Sequence, residues 1–311
     1  MAKAAPVPRG ARTRPTSTSA PEVVDPAWLL KAFLVTVLIA LGCGYATLCW
    51  LFYRGQWQLV LHPARTSSAP AAILGIPSEL VRFGATSTGV PQLTGWWIPA
   101  APGASYAHLT FLYLPGGDGS LAADGAALDA LHNVGASVFA VDYRGYGQSA
   151  ELHPSQRSMT EDAHTAREYL TGSRALPADR VIPYGAGLGA ALALDLAQTH
   201  GLASAVILDN PDFHVMERVR KDPRTRLLPV SLLFHDRFDL RPALDEIRTP
   251  KLILTRRATE DLATIAAANP KMTVALPTSS SEEVYLRAVR RFLDQYAPPS
   301  AAPQLMPKPA P

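Results

Sequence analysis

Val181-Ile-Pro-Tyr-Gly-Ala-Gly-Leu-Gly-Ala-Ala-Leu-Ala-Leu194 is the stretch that decides the fold. Its first residues are apolar and read as a short buried strand, and its last are alanine and leucine and read as a helix. Between them Gly185, Gly187 and Gly189 alternate with Ala186 and Leu188. A strand that turns at once into a helix needs small flanking residues, and Gly185 and Gly189 supply them. The pattern is the sharp G-x-S-x-G turn, with Gly187 where the serine would stand. Gly187 brings no hydroxyl, thiol or carboxylate to that position.

Outward from this turn, strands and helices alternate. Upstream, Leu93–Ile98, His108–Leu114 and Ser137–Tyr143 read as strands. Ala122–Asn133 and Met159–Thr171 read as helices, the second capped by Thr160. Downstream, Ser204–Leu208, Lys251–Thr255 and Met272–Leu276 read as strands. A last helix, Glu282–Tyr296, carries Val284, Ala288, Phe292 and Tyr296 along one face. This alternation predicts an α/β fold, a mostly parallel sheet with helices on both faces. A chain of 311 residues, 48% hydrophobic, suffices for one sizeable domain with appendages.

Ala32 to Phe52 is a run of 21 residues without a charge. As a helix it spans about 30 Å, the thickness of a bilayer's hydrocarbon core. Trp28 lies on one flank, and Trp50, Tyr53 and Trp57 on the other, where interfacial aromatics belong. A cleavable signal would have a shorter apolar stretch and a clear small-residue site after it. The expected organisation is therefore a disordered leader at 1–26, a transmembrane helix at 28–53, an α/β domain at 56–297 and a Pro/Ala-rich disordered tail at 298–311.

The net charge of +3 belongs to the leader. Residues 1–31 hold five of the 29 basic and two of the 26 acidic residues, which leaves 24 of each sign elsewhere. No basic stripe with interleaved aromatics is present, so no nucleic-acid partner is expected. The positive-inside rule places the N-terminus in the cytoplasm and the globular domain outside it. Cys43 and Cys49 both fall in the apolar run. That excludes a cysteine nucleophile or cysteine metal site from the domain and leaves its redox compartment open.

Four segments resemble the α/β-hydrolase superfamily, and within it the membrane-anchored serine hydrolases with one N-terminal helix. They are Leu93-Thr-Gly-Trp-Trp-Ile-Pro99, Leu114-Pro-Gly-Gly-Asp-Gly-Ser120, Val141-Asp-Tyr-Arg-Gly-Tyr-Gly-Gln-Ser149 and the Gly185–Gly189 turn. The resemblance implies that this turn is a nucleophile elbow. It also implies that Gly116 and Gly117 form an oxyanion loop, with Leu188 N–H as the elbow donor, and that Ser120 and Arg144 lie near the pocket. A triad in the order Ser, Asp/Glu, His is implied as well.

Tested on the residues, that triad is dismantled. Gly187 stands at the nucleophile. Glu260 and Asp261 follow the Lys251–Thr255 strand, but Thr259 caps a helix there and acids suit its first turn. No histidine follows His235; Ser280 with Glu283 reads as a capping box instead. Losing a triad member costs on the order of 10⁴–10⁶ in rate. Asp118 puts a carboxylate beside the expected oxyanion, or serves only as a turn former in Gly-Gly-Asp-Gly. Asp118 and His214 could pair as acid and base across the cleft, with Asp209 and Asp212 nearby. Turn chemistry also accounts for that segment. Ser149 is a further hydroxyl with no evident partner, and Arg144 reads as a loop brace.

No metal site and no cofactor are expected: no H-E-x-x-H occurs and no histidines fall at helical spacing. The expected function is that of a membrane-anchored, catalytically degenerate hydrolase relative with a small-molecule or lipid-like ligand in the remnant pocket. The alternatives are an active ester or amide hydrolase with a non-standard nucleophile and base, and a structural membrane interaction protein.

Overall fold

The computed structural model describes residues 25–201, 203–256, 265, 269–276 and 282–298. The readings made for the leader, for Thr259, Glu260 and Asp261, for Ser280 and for the tail beyond Pro298 lie outside these residues. The chain divides into two compact units after Leu51.

The first unit is carried by helix α1, Pro26–Gly55, none of whose residues is buried. Its most apolar window has a mean hydropathy of 2.1. Thirty residues of helix run about 45 Å, enough to cross a bilayer. The Thr36 and Thr47 hydroxyls donate to the Ala32 and Cys43 carbonyls at 2.8 and 2.9 Å. Both polar side chains are thus satisfied within the helix, as an apolar surrounding requires.

Among its described residues the second unit has ten strands. They are β1 (His62–Pro63), β2 (Glu79–Ala85), β3 (Pro91–Ile98), β4 (Thr110–Leu114), β5 (Asp118–Gly119), β6 (Ser137–Asp142), β7 (Val181–Ala186), β8 (Val206–Asp209), β9 (Lys251–Thr255) and β10 (Lys271–Ala275). Eight of them form one sheet in the order β2-β3-β6-β4-β7-β8-β9-β10, and β1 pairs separately with β5. Within the large sheet β3 runs against both neighbours and every other pairing is parallel. β4, β6 and β9 are buried along their whole length. Parallel strands covered on both faces have this unbroken apolar character.

The helices are α2 (Pro70–Leu74), α3 (Gly125–His132), α4 (Gln156–Glu168), α5 (Gly189–His200), α6 (Val215–Lys221), α7 (Val230–Leu233), α8 (Arg241–Glu246) and α9 (Glu282–Tyr296). One apolar core takes Met159 and Ala163 of α4, Leu192 and Leu196 of α5 and Leu244 of α8. The other takes Leu128 and Leu131 of α3 with Val289 and Phe292 of α9. Two separate cores on one sheet are what helices on both faces produce.

Three sequence readings are corrected. β2 was not foreseen; it alternates, with Val81 and Phe83 buried, as a strand with one covered face does. Helix α4 starts three residues before Met159. Its cap is Ser155, whose hydroxyl and that of Ser158 bond reciprocally to each other's backbone N–H, and not Thr160. In α9 the buried stripe is Ala288, Val289, Phe292 and Leu293, while Val284 is exposed.

Candidate functional site at the glycine elbow

β7 ends in a turn whose apex, Gly187, has φ +53°. A side chain at Gly185 would place its Cβ 2.4 Å from the Gly189 carbonyl oxygen, and one at Gly189 would place it 2.1 Å from the Leu114 carbonyl oxygen. Both positions require glycine, because strand and helix backbones touch there. At Gly187 a Cβ would meet only Gly116 Cα, at 3.5 Å. The elbow's architecture is therefore complete, and it has room for a side chain that the sequence does not supply. The turn is held from beside it. Gly187 N–H donates to the Asp209 carbonyl at 2.9 Å, and the Tyr184 hydroxyl donates to the Asp209 carboxylate at 2.7 Å. Burial raises the Asp209 pKa; its backbone carbonyl, which accepts from Gly187 N–H, braces the elbow.

Facing the elbow is the loop from Pro115 to Ser120. Gly117 has φ +98°, and a Cβ there would lie 2.8 Å from Leu61 Cδ2. Its carbonyl accepts from His62 N–H and from the Tyr146 hydroxyl, each at 2.9 Å. The β1–β5 pairing puts His62 opposite Asp118. Their side chains meet, His62 Nδ1 to Asp118 Oδ1, at 2.6 Å. Both are more than half exposed at the mouth of the cleft.

That cleft has a volume of about 700 Å³. Leu59, Val60, Leu188, Pro211 and Phe213 line part of it; His62, Asp118, Asp212, His214, Arg218 and Arg256 line the rest, around Gly116 and Gly187. It opens at the C-terminal ends of the parallel strands, where ligands bind in such sheets.

The structure sorts the sequence candidates. Gly116, Asp118, Gly187, Leu188 and His214 come together in the cleft. The acid/base pair between Asp118 and His214 is not made: Asp118 is bonded to His62, and His214 Nδ1 lies 3.3 Å from Glu217. Asp118 is a paired strand residue rather than a turn former. Asp212 accepts from Arg218 and from His214 N–H. Arg144 is not in the pocket; it binds Asp162 at 2.6 Å, Glu161 at 3.0 Å and the Ser158 carbonyl, as a brace for the loop after β6. Ser120 is buried and does not line the cleft. Ser149 is also structural: its hydroxyl donates to the Asp142 carbonyl at 2.6 Å and accepts from Thr94 N–H at 2.9 Å. Among the described residues no group of three or more His, Cys, Asp and Glu could hold a metal ion.

Sequence reasoning missed His62. Its partner lies 56 residues away and the pairing that joins them is two residues long. No local periodicity marks such a contact.

A buried and a half-buried carboxyl lie near the loop from Pro115 to Ser120. Asp124 and Asp142 are each pushed up to about 6, chiefly by burial; the Asp118 carboxylate adds to the rise at Asp124, and Asp124 to that at Asp142. The Tyr113 hydroxyl opposes the rise at Asp124, and Asp142 accepts from Leu121 N–H at 3.1 Å.

An eight-stranded sheet in this order, with a tight strand-turn-helix at residue 187 and a glycine loop facing it, defines an α/β hydrolase. The chain belongs to the serine aminopeptidase S33 family, whose profile matches residues 112–296. It is 30% identical over 282 residues to the uncharacterized protein MT2364 of Mycobacterium tuberculosis, covering 86% of this chain and 96% of that one. The alpha/beta hydrolase domain-containing protein WAV2 of Arabidopsis thaliana is 28% identical over 52% of this chain and 62% of its own length. Among solved structures, the esterase Pf2001 of Pyrococcus furiosus superposes with a TM-score of 0.56, covering 76% of this chain and 98% of that one at 20% identity. That likeness is one of fold.

Proposed function

We propose that this protein is a membrane-anchored pseudo-hydrolase: an α/β-hydrolase domain that has lost serine catalysis and uses its cleft to bind a ligand. One observation carries the reading. The elbow is geometrically complete, yet its apex is Gly187, and no histidine follows His235. A serine nucleophile needs both a hydroxyl and a base in hydrogen-bond reach. What supports binding is the 700 Å³ cleft, with an apolar wall and a charged rim, a combination suited to a small or lipid-like molecule with a polar head. The apolar N-terminal helix supports anchoring, and the charge bias supports a cytoplasmic N-terminus with the domain on the other side. The test is fluorophosphonate labelling and p-nitrophenyl ester turnover of the purified full chain, both expected at background. Turnover that dies with a single pocket serine refutes the reading.

A second reading, a hydrolase with a non-standard base and nucleophile, is favoured by the His62–Asp118 pair. A carboxylate on Nδ1 leaves Nε2 as the basic nitrogen, the arrangement of a general base. In that reading a water takes the place of the serine. Ester turnover above background that falls in His62→Ala would favour it over the first.

A further inference from the structure

We propose that His164 and His200 form an acid-released latch between α4 and α5, a regulatory device that is independent of what the cleft holds. The latch is closed while at least one of the two ring nitrogens that face each other lacks a proton, and it opens when both carry one. The imidazoles meet across the seam of the helices, His164 Nδ1 to His200 Nε2 at 3.0 Å, with ring centroids 5.1 Å apart. The other nitrogen of His164, Nε2, lies 2.7 Å from Asp195 Oδ2 of α5, and a carboxylate acceptor there keeps a proton on Nε2. Nδ1 of the neutral ring is then an acceptor, and His200 Nε2–H donates to it. One more proton is carried without loss: His164 Nδ1–H donates to His200 Nε2, and His200 holds its own proton on Nδ1. A further proton leaves two N–H groups aimed at each other and two positive charges in the seam.

The seam already holds a cation. Arg167 of α4 is buried, at 7% exposure, and its Nη2 has no hydrogen-bond partner among the described residues. Burial first, then Arg167 and His164, hold the His200 imidazole below its usual range, while Glu168 and Asp195 pull the other way. The other charges on the elements packed here are paired or exposed. On α4, Glu161 and Asp162 bind Arg144, and Glu161 also binds Arg157. On α8, Glu246 accepts from Gln198 Nε2 at 2.6 Å, and Arg241 and Asp245 are exposed. On β2, Glu79 binds Arg174 and Arg82 is exposed. β4 and β7 give Tyr113 and Tyr184 to the opposite core, and Asp209 of β8 accepts from Tyr184.

A base held below its unfolded value binds its proton more tightly once the helices part. The latch therefore contributes fully above about 6.5, the unfolded value of histidine, and is lost as pH falls below it. Asp124 and Asp142 act in the opposite sense, because burial raises their values and makes acid stabilising. The latch also lies between two sides of the cleft. α5 begins at the elbow, and the first residue of α4 holds the chain between β8 and β9. Gln156 N–H donates to the Asp236 carboxylate at 2.7 Å, and Gln156 Oε1 accepts from Phe238 N–H at 2.9 Å. Asp212, Phe213, His214 and Arg218 of that same stretch line the cleft. Release of α4 from α5 is therefore expected to loosen residues 212–218 as well.

The test follows hydrogen exchange of the full chain in detergent by mass spectrometry, at pH 7.5 and 5.0, beside His200→Gln. The glutamine amide can keep a hydrogen bond across the seam at either pH. In the wild type the protection of α4 and α5, corrected for the intrinsic pH dependence of exchange, should fall by up to about tenfold per pH unit for each proton taken up on opening. Protection of 212–218 should fall with it, while α9, which carries no histidine, keeps its own. In His200→Gln the acid-dependent fall should be absent. Equal acid sensitivity in wild type and variant overturns the proposal, as does a loss spread evenly over the fold. Opening of α4 and α5 with 212–218 unchanged overturns the reach of the latch to the cleft. Should His200→Gln fail to fold, His164→Gln takes its place. If neither folds, the wild type decides: a fall confined to α4, α5 and 212–218 supports the latch, and protection of α4 and α5 as high at pH 5.0 as at 7.5 overturns it.

Discussion

Substituting Gly187→Ser separates the architecture of the elbow from its chemistry. The new Cβ meets only Gly116 Cα at 3.5 Å, an ordinary contact, so no packing cost arises. The cost is backbone strain. At φ +53° a residue with a Cβ loses about 1–2 kcal/mol relative to glycine. For a domain of this size about 1 kcal/mol lowers Tm by roughly 2–4 °C. Gly185→Ala and Gly189→Ala should behave differently, because their Cβ atoms would lie 2.4 and 2.1 Å from carbonyl oxygens. Those contacts are too short for any rotamer to relieve, and both variants should fail to fold or lose more than about 3 kcal/mol. Thermal melts of the three variants in one detergent give the ranking. A Gly189→Ala protein as stable as Gly187→Ser would refute the claim that strand and helix touch there. Fluorophosphonate labelling of Gly187→Ser reads the chemistry. The pseudo-hydrolase reading expects none, since the hydroxyl has no base in the place the fold reserves for it. Labelling that disappears when His62→Ala is added would refute that reading and make the His62–Asp118 pair a functioning base.

Three further outcomes are expected. Asp142 ionises near 6 in the fold because it is buried, against about 3.9 in an unfolded chain. Protons are therefore held more tightly by the native state, stability falls as pH rises from about 4 to about 6, and keeping the carboxylate charged at pH 7.5 costs on the order of 3 kcal/mol. Asp142→Asn should accordingly raise Tm at pH 7.5 and leave it unchanged at pH 3.5; equal effects at both would contradict the burial argument. Arg144→Ala leaves the buried Asp162 carboxylate without its cation and should cost about 3 kcal/mol, while ligand or probe binding in the cleft stays as it was. Alkaline phosphatase fused after the C-terminus should be active and a fluorescent protein dark in a bacterial host; the reverse pattern would place the domain in the cytoplasm.

Much of this fold is legible in the chain because the signals are local. The continuous apolar runs of β4, β7 and β9, the glycine spacing at residues 185 to 189, the uncharged run from Ala32 to Phe52 and the amphipathic last helix each follow from residues within one element. Backbone geometry and burial act there over a few positions. The identity of residue 187 and the lack of a histidine beyond His235 are likewise facts of sequence. Other features depend on what lies across the sheet. β2 has a single apolar face, on which Phe83 packs against Phe139 and Tyr169, residues that are distant in the sequence. The roles of Arg144 and Ser149 follow from Asp162, Asp142 and Thr94, which meet them only after the strands align. His62 and Asp118 are brought together by a two-residue pairing between the segment after the apolar helix and the loop from Pro115 to Ser120. Sequence order placed the base after the last strand. Tertiary structure puts an imidazole at the same cleft from the other end of the domain, because side-chain chemistry depends on distance in space, and the topology of the sheet sets that distance.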